Sequence, residues 1–240
     1  MRSVGLALVL LCCSVNACSV NAQQITQQAA QPTVVAVPGE PANLGAAKIA
    51  LLRYHDCSES NCYVPQLERQ IDIAIGFLDQ SVAAAKPGEK LALVLDIDET
   101  SLSNWEVEQH DDFGYITNDS NWFIALRRGK AIPGTLRLFQ EAQKKHVAVF
   151  FITGRPESQR ADTAANLISE GFDSWEELYL RPKDHSTSQT TVEYKSGDRA
   201  KIVAKGYRIV LNVGDQFSDL AGEPQAEHSM KLPNPFYLIP

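Results

Sequence analysis

The run LALVLDIDET, from Leu91 to Thr100, constrains the fold of this chain more than any other stretch. Its apolar half has the length of a strand, follows Gly88 and is stopped by carboxylates, a pattern typical of a strand buried on both faces. Asp96 and Asp98 then lie where a parallel strand would end. Because ligands bind at the carboxyl edge of open α/β sheets, we expect both carboxylates to face a binding site.

Two later stretches repeat this arrangement of an apolar run followed by polar residues. The run VAVFFIT ends at Thr153, and the run YRIVLNVGD ends at Asp215, with Asp219 four residues further on. Lys195 lies between these two stretches, near the start of a predicted helix. Parallel strands would bring the polar groups of all three stretches to one edge of a sheet.

The segments DIDETSLSNW, FITGRP, EYKS and GYRIVLNVGDQFSD, in this order, resemble the haloacid dehalogenase (HAD) superfamily of phosphohydrolases. They are most similar to its acid phosphatase branch, which holds the bacterial class C acid phosphatases and the plant vegetative storage proteins. A four-part match in sequence order is far more specific than any one motif. The resemblance covers residues 44–240 and implies an α/β fold: a three-layer, Rossmann-like core with a parallel sheet, a central DxD strand and a small helical and loop cap.

The resemblance also implies a role for each polar residue. Asp96 would attack phosphorus to form an aspartyl-phosphate, and Asp98 would act as general acid for the leaving group and then as base for water. Thr153 would bind a phosphoryl oxygen through its hydroxyl, and Lys195 would neutralise the nucleophile and the transferring group. For that electrostatic role, Arg199 and Lys201 stay open as alternatives to Lys195.

The phosphate site is expected to include backbone groups beside Thr153. Gly154 allows close backbone approach, and a helix predicted over 156–170 would aim its N-terminus at the anion. By the same resemblance, Arg155, which is typical of this branch, is expected to bind the substrate phosphate.

Mg²⁺ is the cofactor that the resemblance implies. Asp96, the backbone carbonyl of Asp98 and Asp215 would be direct ligands, while Asp219 would hold a metal-bound water or orient Lys195. A calcium loop is the competing interpretation of D-x-D, but such loops need glycine at their sixth position, where this chain has Ser101.

These features predict a Mg²⁺-dependent acid phosphatase acting on small phosphomonoesters, with nucleoside monophosphates among the candidate substrates. Two alternatives share the fold: a non-catalytic storage or binding protein, and a phosphotransferase in which an alcohol replaces water. The presence of Asp96 favours an enzyme. The net charge of −7 argues against a nucleic-acid polymer as partner, so any phosphate site must be made locally.

The N-terminal region is predicted to direct export, to the periplasm or out of the cell. Residues 1–22 have the charged start, short apolar run and small residues of a signal peptide, with cleavage expected after Ala22. In an alternative, Cys18 becomes a lipidated first residue that anchors the protein to the outer membrane, which is the only membrane association that we expect. Residues 23–43 are predicted to be a flexible tether, followed by a single domain over 44–240.

Cys57 and Cys62 lie in the polar stretch DCSESNC, between helices predicted over 46–53 and 66–85. In an oxidising compartment this spacing favours a small disulfide over a metal site. Two free thiols would instead indicate a reducing compartment.

Residues 101–133 are too long for an ordinary strand-to-helix connection and are predicted to form the cap. Its aromatic residues would either stack on a substrate ring or pack the cap onto the core. They are Trp105, Phe113, Tyr115, Trp122 and Phe123. Arg127, Arg128 and Lys130 would either orient an anionic substrate or form a solvated face.

Overall fold

The computed structural model describes residues 38–182 and 189–239. The chain divides into two units, Met1–Pro41 and Ala42–Pro240. Of the first unit, only residues 38–41 are described, and they contain a turn. The predicted signal peptide, Cys18 and most of the predicted tether therefore lie outside the described residues. Within the described ranges, no helix has the length and apolar character needed to cross a membrane.

The second unit alternates helices and strands along the chain. Its helices are α1 Leu44–Asp56, α2 Tyr63–Ala83, α3 Trp105–His110, α4 Thr117–Ala125, α5 Pro133–Lys144, α6 Arg160–Ser169, α7 Thr191–Ala204 and α8 Phe217–Leu220. Its strands are β1 Lys90–Leu95, β2 Leu102–Ser103, β3 Lys130–Ala131, β4 Ala148–Pro156, β5 Glu177–Arg181, β6 Tyr207–Gly214 and β7 His228–Lys231. A 3₁₀ turn, Glu157–Gln159, precedes α6.

Five strands form one parallel sheet in the order β5-β4-β1-β6-β7. The strand that precedes D-x-D is therefore central, which confirms the predicted α/β core. Leu95, the last residue of β1, pairs with Phe151 of β4 and with Val213 of β6. The residues that follow these three strands consequently meet at one edge of the sheet.

Both faces of β1 are buried, because its side chains alternate between two apolar layers. Leu91, Leu93 and Leu95 belong to the larger cluster, which includes residues of α2, α5 and α6. Ala92 and Val94 belong to the smaller cluster, with Tyr194 and Ile202 of α7. This alternation gives the helix–sheet–helix sandwich expected of a strand with a continuous apolar run.

The cap is an insertion between β1 and α5 that contains two short helices. Strands β2 and β3 close its base as an antiparallel pair, and the buried side chain of Phe123 lies on α4. The Asn166 side chain of α6 donates to the carbonyl oxygen of Gly129 at 2.8 Å, so the cap is also bonded to the core.

One predicted helix start is wrong. Pro156 is the last residue of β4, where it pairs with Arg181, and the helix begins only at Arg160. The fixed φ of proline suits the end of a strand as well as the first turn of a helix, so the sequence alone does not separate the two positions. As a result, no α-helix begins directly after Gly154 and Arg155.

Cys57 and Cys62 form a disulfide with Cα atoms 5.6 Å apart. It joins the residue after α1 to the residue before α2. The predicted helix over 46–53 extends in the structure from Leu44, where the side chain of Asn43 accepts a hydrogen bond from the Ala46 amide at 3.0 Å.

Candidate active site

Lys195 joins two carboxylates at the carboxyl edge of the sheet. Its Nζ donates to Asp96 Oδ1 and to Asp219 Oδ1, each at 2.5 Å, and all three residues are buried. Asp96 directly follows β1, and Lys195 lies in the second turn of α7. That helix begins with a capping box, in which Thr190 and Glu193 each satisfy the other's backbone amide. The capping box fixes the start of the helix that carries Lys195.

The two alternatives to Lys195 have other partners. Arg199 is buried, and its guanidinium donates to the backbone carbonyl oxygens of Asp219 and Gly222, each at 2.8 Å. Lys201 pairs with Asp198 at 2.7 Å. Lys195 is therefore the candidate that reaches the Asp96 carboxylate.

Asp98 is held by an arginine and an asparagine. Arg155 donates to Asp98 Oδ1 through Nε at 3.0 Å and Nη2 at 2.6 Å, and Asn104 Nδ2 donates to the same oxygen at 2.7 Å. Burial opposes ionisation of Asp98, but the Arg155 guanidinium outweighs it and lowers the pKa of that carboxyl. Arg155, which was predicted to bind phosphate, lines the cavity described below, and its guanidinium contacts and orients Asp98 in this structure.

Thr153 is fully buried beside this pair and does not line the cavity described below. Its hydroxyl donates to Asp98 Oδ2 at 3.5 Å and accepts from the Arg155 amide at 3.2 Å. Gly154, in contrast, lines the cavity, and a Cβ built on it would meet no protein atom within 4 Å. The backbone at Gly154 is therefore open on the cavity side.

Asp215 accepts hydrogen bonds from neutral donors. Thr100 Oγ1 donates to Asp215 Oδ1 at 3.1 Å, and the side-chain amides of Gln216 and Asn234 donate to Oδ2, each at 2.7 Å. Among residues 38–182 and 189–239, no lysine or arginine forms an ion pair with Asp215. Burial and then the neighbouring Asp219 raise the pKa of Asp215.

The carboxylates of Asp96, Asp215 and Asp219 fit a divalent cation. Each offers an oxygen within 4.8 Å of the others, and all three are buried. Burial raises the pKa of Asp96 well above its usual value, because Lys195 only partly offsets burial and the neighbouring carboxylates. One ammonium against three buried carboxylates leaves an excess of negative charge on hard oxygen ligands, which is the donor chemistry that Mg²⁺ prefers.

Glu99, which directly follows Asp98, was not among the residues predicted for the site. Its backbone has a φ of 51°, and its buried carboxylate accepts from the Asn104 amide and from Tyr237 Oη, each at 2.6 Å. Burial and then Asp98 raise the pKa of Glu99 to about 8. Glu99, Asn104 and Tyr237 therefore form a polar support beneath Asp98. The only sequence signal was the position of Glu99 directly after Asp98.

A cavity of about 810 Å³ opens onto these groups. Its polar end is lined by Asp96, Asp98, Gly154, Arg155, Lys195, Asp215 and Asp219. The rest of its lining includes the cap residues Phe113, Tyr115, Phe123 and Ile124, together with Leu238 and Ile239. With a cation at the carboxylates, the arrangement can hold an anionic group beside Lys195 and a larger, partly apolar group against the cap residues.

Some aromatic residues of the cap pack it onto the core, and others line the cavity. Trp105 stacks on His55, with ring centroids 3.6 Å apart, and thus packs the cap onto the core. Phe113, Tyr115 and Phe123 line the cavity, whereas Trp122 does not and is 54% exposed.

The basic residues of the cap are paired with acidic side chains. Arg127 pairs with Asp162, Arg128 with Glu106, and Lys130 with Glu170. None of the three lines the cavity. This arrangement favours the interpretation of a solvated face.

Known proteins are similar to this chain in sequence. A family model described as HAD superfamily, subfamily IIIB (acid phosphatase), matches residues 13–240. Acid phosphatase 1 of Solanum lycopersicum is 38% identical over 181 residues, which cover 74% of this chain and 69% of that protein. Vegetative storage protein 1 of Arabidopsis thaliana is 32% identical over 153 residues, covering 61% of this chain and 55% of that protein.

The fold also matches a solved structure. The class C acid phosphatase from Bacillus anthracis, solved with tungstate bound, superimposes with a TM-score of 0.65. The match covers 80% of this chain and 85% of that protein, at 21% sequence identity. This similarity confirms the predicted architecture of the core.

Proposed function

Because this chain belongs to the HAD superfamily, subfamily IIIB, the acid phosphatases, and is thereby a phosphomonoesterase, we propose that it hydrolyses small phosphomonoesters through a phospho-aspartate at Asp96. The observation that carries this proposal is the Asp96–Lys195 contact of 2.5 Å at the polar end of a cavity that also contains Asp98. A nucleophile, a neutralising cation and a proton donor thus face one space.

The reaction has two steps. In the first, a carboxylate oxygen of Asp96 forms a bond to phosphorus and the bond from phosphorus to the leaving oxygen breaks. Asp98, which must be protonated for this step although Arg155 lowers its pKa, gives the leaving oxygen a proton. In the second, Asp98 takes a proton from water, whose oxygen attacks phosphorus and releases Asp96 and phosphate. Lys195 offsets the negative charge of the nucleophile and of the transferring group in both steps.

Mg²⁺ is the proposed cofactor, held by Asp96, Asp215 and the backbone carbonyl of Asp98. When bound, it would screen the carboxylate nucleophile from the anionic substrate. Asp219 would fix the position of Lys195, since the two side chains are in contact. Three buried carboxylates lie beside a single ammonium, that of Lys195, and this excess of negative charge supports the assignment.

Export is proposed from the sequence of residues 1–22, with a lipid anchor at Cys18 as the alternative. The Cys57–Cys62 disulfide supports this proposal, because such bonds persist in oxidising compartments. The periplasm or the extracellular space is the expected location.

A storage role is the second candidate function, favoured by the 32% identity to Vegetative storage protein 1. The contact between Asp96 and Lys195 favours catalysis over storage. A phosphotransferase would use the same residues with an alcohol in place of water, and added glycerol would separate that activity from hydrolysis. Nucleoside monophosphates are included among the proposed substrates because the cavity combines a polar end with aromatic lining.

The proposal is tested by phosphate release from p-nitrophenyl phosphate and a nucleoside monophosphate between acidic and neutral pH. Wild type, Asp96→Asn and an EDTA-treated sample are compared. Asp72→Asn is the control, because Asp72 is a surface carboxylate on α2 that pairs with Arg137. We expect metal-dependent release that falls at least about 10³-fold in Asp96→Asn and is unchanged in the control.

Two outcomes would contradict the proposal. Equal activity in Asp96→Asn would remove Asp96 as nucleophile. No release from folded wild type loaded with Mg²⁺ would favour the storage role.

A further inference from the structure

Residues 234–239, here named the C-terminal wall, reach the cavity through Tyr237, Leu238 and Ile239. Leu238 and Ile239 line the cavity and are 80% and 42% exposed. Single exposed apolar residues are common on protein surfaces, but these two are adjacent in the chain and both line the cavity that contains the candidate catalytic residues. Their position suits contact with a bound molecule.

The C-terminal wall is bonded to the loops that carry the candidate catalytic residues. Asn234 donates to Asp215 Oδ2 at 2.7 Å, and Tyr237 Oη donates to Glu99 Oε2 at 2.6 Å. The Ile239 amide donates to Gln216 Oε1 at 3.2 Å. The Leu238 side chain takes part in none of these bonds, so replacing it leaves the attachment intact.

An aromatic residue anchors the same segment to the core. Phe236 is buried, and its ring centroid lies 5.2 Å from that of Tyr63 and 5.0 Å from that of Trp105. Packing and hydrogen bonds together fix where Leu238 and Ile239 stand.

The cap supplies a second apolar side to the cavity through Phe113, Tyr115, Phe123 and Ile124. A phosphomonoester that places its phosphoryl group at Asp96 must direct its alcohol part away from the polar end. That part would then lie between the cap and the C-terminal wall.

We propose that Leu238 and Ile239 are specificity-determining residues that contact the leaving group, and that they select monoesters of apolar, ring-containing alcohols over those of small polyols. This inference rests on the proposed function, because it assumes that the phosphoryl group binds at Asp96. Apolar contact with a leaving group gains affinity from the surface that it removes from water, and a polyol lacks such surface.

Turnover of two substrates tests the selection. Leu238→Ser, Ile239→Ser and the double variant are assayed with 1-naphthyl phosphate and glycerol phosphate. For the double variant we expect kcat/KM to fall about tenfold with the naphthyl ester and to stay within about twofold with glycerol phosphate. Ile73→Ser is the control, because Ile73 is 49% exposed on α2 and does not line the cavity.

Measurements of ligand binding test this inference independently of the proposed function. Calorimetry with naphthylmethylphosphonate and methylphosphonate, in the presence of Mg²⁺, requires no turnover. We expect the double variant to lose about tenfold in affinity for the naphthyl ligand alone. If the ratio of the affinities for the two ligands is the same in the double variant as in wild type, the inference is overturned, even if wild type proves inactive. If wild type shows no turnover but the two affinities change as expected in the double variant, only the proposed function is contradicted.

Discussion

At the scale of single residues, the site holds three buried carboxylates, and those of Asp96 and Asp219 contact the ammonium of Lys195. Such an arrangement costs stability, because buried charges without a partner are disfavoured. Lys195 is held in its charged form, since Asp96 and Asp219 raise its pKa against the opposing effect of burial. The remaining negative charge is explained by a function that binds a cation and an anionic substrate together.

Glu108 gives a pH-dependent prediction for substrate binding. It lines the cavity from α3, and burial, followed by Asp111 and Asp98, raises its pKa to about 7. The carboxyl is thus neutral in acid and negatively charged above about pH 7, where it repels an anionic substrate. We expect KM in wild type to exceed that of Glu108→Gln by about three- to tenfold at pH 8.5 and to match it at pH 5.

Steady-state kinetics between pH 5 and 9 measure this difference. Glu106→Gln is a suitable control, because Glu106 lies on α3 like Glu108 but pairs with Arg128 and does not line the cavity. Ionisation of the substrate phosphate affects all variants equally. Identical KM profiles in wild type and Glu108→Gln would show that the Glu108 charge does not reach the substrate.

The positions of Asp96, Asp215 and Lys195 could be predicted because each is tied to a regular element. Two of them follow apolar strands, and parallel pairing brings the ends of those strands together. Glu99 and Tyr237 could not be predicted as a pair. Their contact joins residues 138 positions apart, and it depends on the positive φ at Glu99 and on the path of the chain after β7.

At the scale of elements, the end of β6 is shaped around Asp219. Gly214 is the last residue of this strand, and a Cβ added there would lie 2.5 Å from both Cβ and Oδ2 of Asp219. Asp219 Oδ2 also accepts from the Gln216 amide at 2.8 Å, which closes a tight turn around Asp215. The absence of a side chain at Gly214 is what lets Asp219 reach Lys195.

Gly214→Ala is therefore expected to displace Asp219. We predict that kcat falls at least about tenfold and that the free energy of unfolding in urea falls by about 1–3 kcal/mol. Gly197→Ala is the matched control, because Gly197 is exposed on α7 and a Cβ there meets nothing within 4 Å. That control should keep its activity and gain up to about 1 kcal/mol of stability. Wild-type kcat in Gly214→Ala would refute this account of the turn.

Long apolar or periodic elements were predictable, whereas short edge elements were not. The helix predicted over 66–85 carries an apolar stripe of Leu67, Ile71 and Leu78, and all three side chains are buried on α2. Strand β7 was missed because only Met230 of its four residues is buried, so it carries no apolar run. As an edge strand it depends on β6 for its pairing, which no local pattern reveals.

At the scale of the whole molecule, three regions distant in sequence enclose one cavity. The sheet edge supplies the polar groups, the cap supplies aromatic residues, and the C-terminal wall supplies Leu238 and Ile239. The sequence predicted the core and the cap but not the role of residues 234–239. Residues 235–239 form an irregular segment, of which Tyr237, Leu238 and Ile239 line the cavity.

The central claim is that Asp96 carries the phosphoryl group between the two steps, and trapping tests it most directly. Protein mixed with substrate and Mg²⁺ is quenched and treated with borohydride, which reduces an acyl phosphate to an alcohol, and the peptides are sequenced by mass spectrometry. We expect Asp96 to be converted to homoserine only when substrate is present, and no conversion in Asp96→Asn. Continued substrate turnover with unmodified Asp96, or reduction at another carboxylate, would contradict the account.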